Sequence, residues 1–244
     1  MAKKKVLIFI ICYQSSYRLL KLYKKIPFKK LKKYDCQILI SDDFSSDDTI
    51  KFAKKIKKIN KFVKIVINKN NLGYGKHIKK CLIYAIKNKF DYAVMIHGDG
   101  QFNPKYIPKL LLKFTSDKIA ASTGSRLYNG IKSVIKGGMP FYKLIGNILL
   151  TKFFNFLMNT KFTDAHTGLW AYNLRFIGVK ELNSLADTFN FDQEFRFKNV
   201  IKNNFIEEIF IQTKYGDERS QLHIKYAFKF FLNCIKFYFI KKIK

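Results

Sequence analysis

Arginine is nearly absent from a chain that is otherwise crowded with cations. Only five of the 47 basic residues are Arg (Arg18, Arg126, Arg175, Arg196 and Arg219), against 17 acidic residues in 244 positions. The formal charge of +30 suits a nucleic acid, a membrane surface or an anionic substrate as partner. Because the excess is almost all lysine, in a sequence also rich in Ile, Asn, Phe and Tyr, it reads first as a coding bias and only second as a selected surface. A nucleic-acid binder predicts Arg-rich or aromatic-platform motifs. Neither is present, so no nucleic-acid partner is expected. The few guanidinium groups gain interest in return, since Lys cannot make a bidentate fork on an oxyanion.

Other absences narrow the class further. The four cysteines (Cys12, Cys36, Cys81, Cys234) are far apart and form no CxxC or His/Cys cluster. They read as buried thiols in a reducing cytosol. No run of ~20 uncharged apolar residues is present, so no membrane-spanning helix is expected. The basic start is followed by a short apolar run, Val6 to Cys12, which suits a first buried strand better than a secretory leader. A cytoplasmic protein, peripheral at the membrane face, is the resulting expectation. The residues after that run, Tyr13-Gln14-Ser15-Ser16, include no glycine. A dinucleotide-binding oxidoreductase, which needs G-x-G-x-x-G there, is therefore disfavoured. No repeat or low-complexity linker divides the chain, so one domain is expected.

The material present is that of a folded enzyme: 48% hydrophobic and 16% aromatic residues. Strand candidates are Lys5–Cys12, Cys36–Ser41, Val63–Asn68, Tyr92–His97 and Ala120–Ser125. Helix candidates lie between them, near Ser16–Lys25, Asp47–Lys58, Gly75–Asn88 and Pro104–Ser116. Strand and helix alternating four times predicts an α/β fold, a Rossmann-like, mostly parallel sheet flanked by helices. Further on come a long apolar helix over Phe141–Met158, a polar segment from Thr163 to Gly168, a mixed region holding Phe191-Asp192-Gln193-Glu194, and a strand over Glu208–Thr213.

Ligands of such sheets bind beyond the carboxyl ends of the strands, and the residues there are informative. Asp42-Asp43 follow the second strand and open the segment SDDFSSDDT. Asp47 and Asp48 read as the start of the next helix. The adjacent Asp42-Asp43 pair needs donors or a cation, and a ribose or base imide is one source of donors. His97-Gly98-Asp99-Gly100-Gln101 follow the fourth strand. Asp99, between two glycines, reads either as a turn residue or as a ligand for Mg²⁺ or Mn²⁺, with Gln101 and His97 as further donors.

Taken together, the stretches ICYQSS, ILISDDFSSDDT, NKNNLGYGKHIKKCLIYA, MIHGDGQFNP, GSR, TDAHTGLWAY and FIEEIFIQTKYGDERS resemble the inverting glycosyltransferases of family 2, which have the GT-A fold. Within that group the chain looks most similar to the polyprenyl-phosphate sugar synthases, such as dolichyl-phosphate mannose synthase. The resemblance implies a GT-A domain over residues 1–220, followed by a C-terminal helix over 221–244. It places Tyr13, Asp42 and Asp43 at the nucleoside of a UDP- or GDP-sugar donor. Asn71, Gly73 and Gly75 would form the nucleotide-side loop, with Lys79 near it. Asp99 would be the metal ligand of the family's D-x-D motif, with Gln101 assisting. Asp164 would lie by the acceptor, a lipid phosphate or a glycan hydroxyl, and either act as base in the second case or serve as a structural carboxylate that holds the acceptor loop. Arg126 and Arg219 would lie near phosphates. His97 stands where the family has its first Asp, which lowers the local negative charge. The first loop lacks the family's Pro and Glu. The Q-x-x-R-W motif of processive synthases is also missing, which argues for transfer of a single sugar.

In the C-terminal segment His223–Lys244, Lys225, Lys229, Asn233 and Lys236 make one polar stripe on a helix otherwise filled by Phe, Tyr, Leu and Ile. Such an amphipathic helix suits an anionic membrane surface, packing on the domain, or pairing with another subunit.

Overall fold

The computed structural model describes residues 2–213, 215 and 224–243. Seven strands form one sheet: β1 (Lys5–Cys12), β2 (Asp35–Asp42), β3 (Val63–Ile67), β4 (Tyr92–His97), β5 (Ile119–Ser125), β6 (Trp170–Asn173) and β7 (Phe205–Phe210). Their order is β3-β2-β1-β4-β6-β5-β7. The first four run parallel, β6 is antiparallel to both its neighbours, and β7 is parallel to β5. This is the expected mostly parallel α/β sheet.

The helices are α1 (Ser16–Lys24), α2 (Phe28–Leu31), α3 (Thr49–Ile59), α4 (Tyr74–Lys87), α5 (Ile107–Leu111), α6 (Ile131–Lys136), α7 (Phe141–Met158), α8 (Val179–Asn183), α9 (Phe191–Ile201) and α10 (Ile224–Ile243). The period-two alternation of β1 decides which side each helix covers. Val6, Ile8, Ile10 and Cys12 pack into one core with α1, α3 and α5. Leu7, Phe9 and Ile11 pack into a second core with α4, α8 and α9. Burial on both faces is why β1 reads as an unbroken apolar run. A third, smaller cluster joins α7, α9 and α10 through Phe154, Met158, Phe197, Cys234 and Phe237.

The differences from the sequence expectation have local causes. The strand β6 is only four residues long and follows directly on a polar loop, so it shows no alternation to detect. The last strand begins three residues earlier than Glu208, because Glu207 and Glu208 interrupt its apolar pattern. The helix expected from Pro104 breaks into a 3₁₀ turn (Pro104–Tyr106) and the short α5, each with proline in its first turn. The four cysteines are unpaired; Cys12, Cys81 and Cys234 are buried as expected, whereas Cys36, near the start of β2, is only half-buried. Among the described residues no helix is long and apolar enough to cross a membrane.

The C-terminal helix packs on the domain, and its polar stripe is split. Asn233 is buried and donates to Gln193 Oε1 at 3.0 Å, while Gln193 Nε2 donates to the Phe230 carbonyl at 3.0 Å. Lys236 stays exposed.

Candidate active site

Register brings the loops after β1, β2 and β4 to one edge of the sheet. Cys12 lies opposite Asp42, and Ile11 lies opposite His97. The backbone N–H of Asp43 donates to the Cys12 carbonyl and that of Gly98 to the Ile11 carbonyl, both at 2.8 Å. Asp43 and Asp99 therefore flank the end of β1. A Cβ on Gly98 would lie 2.6 Å from Ser15 Oγ and 2.8 Å from Cys12 Sγ. Only glycine lets the loop bearing Asp99 close onto the first loop.

The first two loops brace each other. The N–H groups of Ser15 and Ser16 donate to Thr49 Oγ1 at 2.8 and 2.9 Å, and that of Gln14 donates to Ser45 Oγ at 2.9 Å. Gln14, Ser16 and Phe44 all hold positive φ, conformations that persist where the surroundings over-determine them. Tyr13, directly after β1, stays 43% exposed.

The adjacent carboxylates find their donors within the chain. Asp42 accepts from the Ser45 N–H and hydroxyl at 2.9 and 2.6 Å. Asp43 accepts from Asn68 Nδ2 (2.7 Å), the Leu72 N–H (2.9 Å) and the Gly73 N–H (3.0 Å). Asn71 Oδ1 also accepts from the Gly73 N–H, at 2.9 Å. Asp43 thus ties β2 to the Asn71–Gly75 loop, and the pair needs no ligand to offset its charge.

Gly75 and Lys79 serve a different contact from the expected one. A Cβ on Gly75 would come within 2.5–2.6 Å of the carbonyl oxygens of Ala186 and Thr188. Lys79 Nζ donates to the Leu185 carbonyl at 2.9 Å and pairs with Asp187. Both residues hold the 185–188 segment over the start of α4, and Lys79 is committed there.

Asp99 is half-buried, and its Oδ1 accepts from the Gln101 N–H at 2.9 Å. Gln101 meets Asp99 through its backbone. A Cβ on Gly100 would meet nothing within 4 Å, so the loop borders open space. The His97 ring packs against Tyr74 and Phe102 with its Nε2 turned to Gly168, which argues against its role as a metal ligand. Burial holds its pKa below the usual histidine value. Among the described residues no three His, Cys, Asp or Glu side chains converge as a metal cage. One half-buried carboxylate next to that open space fits a divalent cation that arrives with a diphosphate, the usual mode for Mg²⁺.

Arg126 and Asp164 are paired with each other. Arg126 Nε and Nη2 donate to Asp164 at 2.6 and 2.9 Å, Nη1 to the Tyr215 hydroxyl at 2.7 Å, and Nη2 also to the His166 carbonyl at 2.8 Å. Four of the five guanidinium N–H groups have partners, so Arg126 is committed mainly to this loop and keeps a single Nη1 N–H for the expected phosphate contact. Burial alone would raise the Asp164 carboxyl. Arg126 and the Asn147 amide outweigh it and hold the group well below the usual carboxylate range. A base this weak does not suit proton abstraction, and the geometry gives Asp164 the role of holding its own loop. Arg196, fully buried, lies between the Phe162 and Trp170 rings. Arg219 lies outside the described residues.

One carboxyl at this edge escaped the sequence reading. Asp192, at the start of α9, accepts from the Tyr74 hydroxyl at 2.7 Å, and the Tyr74 ring lies 5.7 Å from that of His97. Burial pushes Asp192 up to about 7, against the Tyr74 hydrogen bond and Arg196. Its Oδ1 is buried with no partner. No spacing rule marks Asp192. Only the fold brings it beside β4.

The family model described as Glycosyl transferase family 2 matches residues 7–178. An uncharacterised protein of Methanocaldococcus jannaschii is 29% identical over 87% of this chain and 92% of its own length. A UDP-N-acetylglucosamine–dolichyl-phosphate N-acetylglucosaminyltransferase of Methanococcus voltae is 29% identical over 57% of this chain, which spans 59% of that protein. Among solved structures, a glucosyl-3-phosphoglycerate synthase of Mycobacterium tuberculosis, in complex with uridine diphosphate, superimposes with a TM-score of 0.66 at 13% identity, covering 98% of this chain and 80% of that one. A mannosyltransferase of Pyrobaculum calidifontis, in complex with GDP-Man and Mn²⁺, gives 0.64 at 9% identity over 100% of this chain and 65% of its own. Both likenesses are likenesses of fold.

Proposed function

The chain belongs to glycosyl transferase family 2 and is a glycosyltransferase, and from that premise we propose that it moves one sugar from a UDP- or GDP-sugar to a polyprenyl phosphate at a membrane surface. The observation that carries the reading is the half-buried Asp99, two residues beyond β4 and next to the open space at Gly100, on the same sheet edge as Tyr13 and Asp43. The solved relatives of this fold hold UDP, or GDP-Man with Mn²⁺, and the dolichyl-phosphate enzyme of Methanococcus voltae supports the lipid acceptor.

In this reading Tyr13 flanks the base and Asp99 holds Mg²⁺ or Mn²⁺ against the diphosphate. The cation would supply charge stabilisation for the departing nucleoside diphosphate. Asp43 acts indirectly, fixing the Asn71–Gly73 turn at the nucleotide side. A lipid phosphate is already anionic and attacks the anomeric carbon from the face opposite the leaving group, with inversion and without a base.

A second reading is favoured by Asp192. An acceptor hydroxyl needs a base, and Asp192, raised by burial to about 7 beside Tyr74, takes that role in this reading once acceptor binding opens access to its buried Oδ1. Asp192 then takes the part the sequence suggested for Asp164, and the acceptor is a hydroxyl of a cell-surface glycan.

The test is a transfer assay with labelled UDP- and GDP-sugars, Mn²⁺, and either polyprenyl phosphate or a soluble glycan. Label moving into the organic phase with polyprenyl phosphate supports the first reading. Label moving only into the glycan supports the second, and no transfer to either overturns both.

A further inference from the structure

The outer faces of α7 and α10 form one surface that the rest of the chain leaves uncovered. On α7, Leu149 and Phe156 are 61% and 83% exposed, on either side of Phe153. On α10, Phe228 and Leu232 are 64% and 49% exposed, beside Phe231. Phe153 and Phe231 stack with ring centroids 4.6 Å apart and close the seam between the two helices. The exposed apolar side chains are therefore contiguous, unlike the single exposed residues normal on any surface. Lys152 and Lys236 are exposed along the same helices. Neither helix contains an acidic residue, nor does any position from 118 to 163.

We infer that this α7–α10 face docks on an anionic lipid bilayer, lying flat with its aromatic and aliphatic side chains in the headgroup boundary and its lysines at the phosphates. Charge decides the occupant. A symmetric pairing of two copies sets the same patch against itself. Here that would bring lysines together with no carboxylate on either helix to pair them. An anionic bilayer supplies both the apolar boundary and the negative charge. Neither helix is long and apolar enough to cross, so the contact is interfacial. The inference goes beyond the choice of acceptor and does not depend on it. The His166 ring, in the loop whose Gly168 adjoins His97 at the end of β4, stacks on Phe230 of α10 at 5.3 Å, so a bilayer seated here borders that strand end.

The test is co-sedimentation of the full chain with phosphatidylcholine vesicles, with and without phosphatidylglycerol, at low and high salt. A chain this basic adheres to anionic vesicles at low salt through lysines anywhere, so the high-salt fraction is the one that reads the face. The wild type is expected to keep a salt-resistant bound fraction on anionic vesicles. The charge-neutral triple variant Leu149→Ser, Phe156→Ser, Phe228→Ser should lose roughly ten-fold or more of it. A control variant, Ile59→Ser with Phe62→Ser, removes exposed apolar residues near β3 and should bind as the wild type does. All the altered side chains point outward, and circular dichroism checks that each variant is folded. The inference is overturned if the wild type keeps no salt-resistant fraction, if the triple variant binds unchanged, or if the control loses as much. It is also overturned if the wild type is a dimer that the triple substitution dissociates.

Discussion

Arg126 and Asp164 close on each other through two near-parallel hydrogen bonds, Nε to Oδ2 at 2.6 Å and Nη2 to Oδ1 at 2.9 Å. The pair is buried and joins the end of β5 to the loop before β6. Its energetics follow from what remains when one partner goes. Arg126→Ala strands a buried carboxylate and should cost about 3–5 kcal/mol. Asp164→Asn strands a buried guanidinium and should cost about as much. Replacing both with Met and Leu should cost markedly less than either single change. Chemical denaturation of the three variants checks this.

The same pair fixes an acid limb. The Asp164 carboxyl is held below its unfolded value, so its contribution to stability is present above the ordinary Asp range and is lost as pH falls below about 4. Wild-type stability should drop through that region. Asp164→Asn, less stable throughout, should show a shallower drop.

Asp192 predicts the opposite slope at higher pH. Its pKa is raised in the fold to about 7, so the folded state binds the extra proton between the ordinary Asp value and 7. Stability should therefore decline as pH rises through that window. Asp192→Asn should flatten the decline. Tyr74→Phe removes a hydrogen bond to the carboxylate and should extend the decline to higher pH. Melting temperature against pH reads all three.

Gly75→Ala places a methyl group against two backbone carbonyls, those of Ala186 and Thr188. Neither can turn aside like a flexible side chain. The substitution should destabilise by about 1–3 kcal/mol and speed proteolysis within the 185–188 segment. Limited proteolysis beside a melting curve checks both effects.

Much of this arrangement was legible in the sequence. The unbroken apolar run of β1 and the strand–helix alternation announced a mostly parallel sheet, and register brings the carboxylates that follow β2 and β4 to one end of it. Partner choice was not legible. Arg126 and Asp164 read as two independent site residues, because nothing in a sequence says that residues 38 positions apart will satisfy each other. Lys79 and Gly75 read as ligand-facing for the same reason, whereas their partners lie on a segment more than 100 positions away. Asp192 was missed because its character comes from burial beside Tyr74, a tertiary property. His97 looked like a metal donor until the rings of Tyr74 and Phe102 closed around it.

The central claim is that Asp99 holds a cation against the diphosphate of a nucleotide sugar. The most direct measurement is thermal stability of the wild type and Asp99→Asn with UDP, GDP and their sugars, each with and without Mn²⁺ or Mg²⁺. A ligand of the folded state raises the melting temperature by mass action, ~2.7 kcal/mol at a hundred times its Kd. The account predicts a rise in the wild type that needs nucleotide and cation together, and none in an Asp99→Asn variant that melts normally without ligand. A wild type indifferent to every combination, or an Asp99→Asn variant that keeps the full cation-dependent rise, would contradict it.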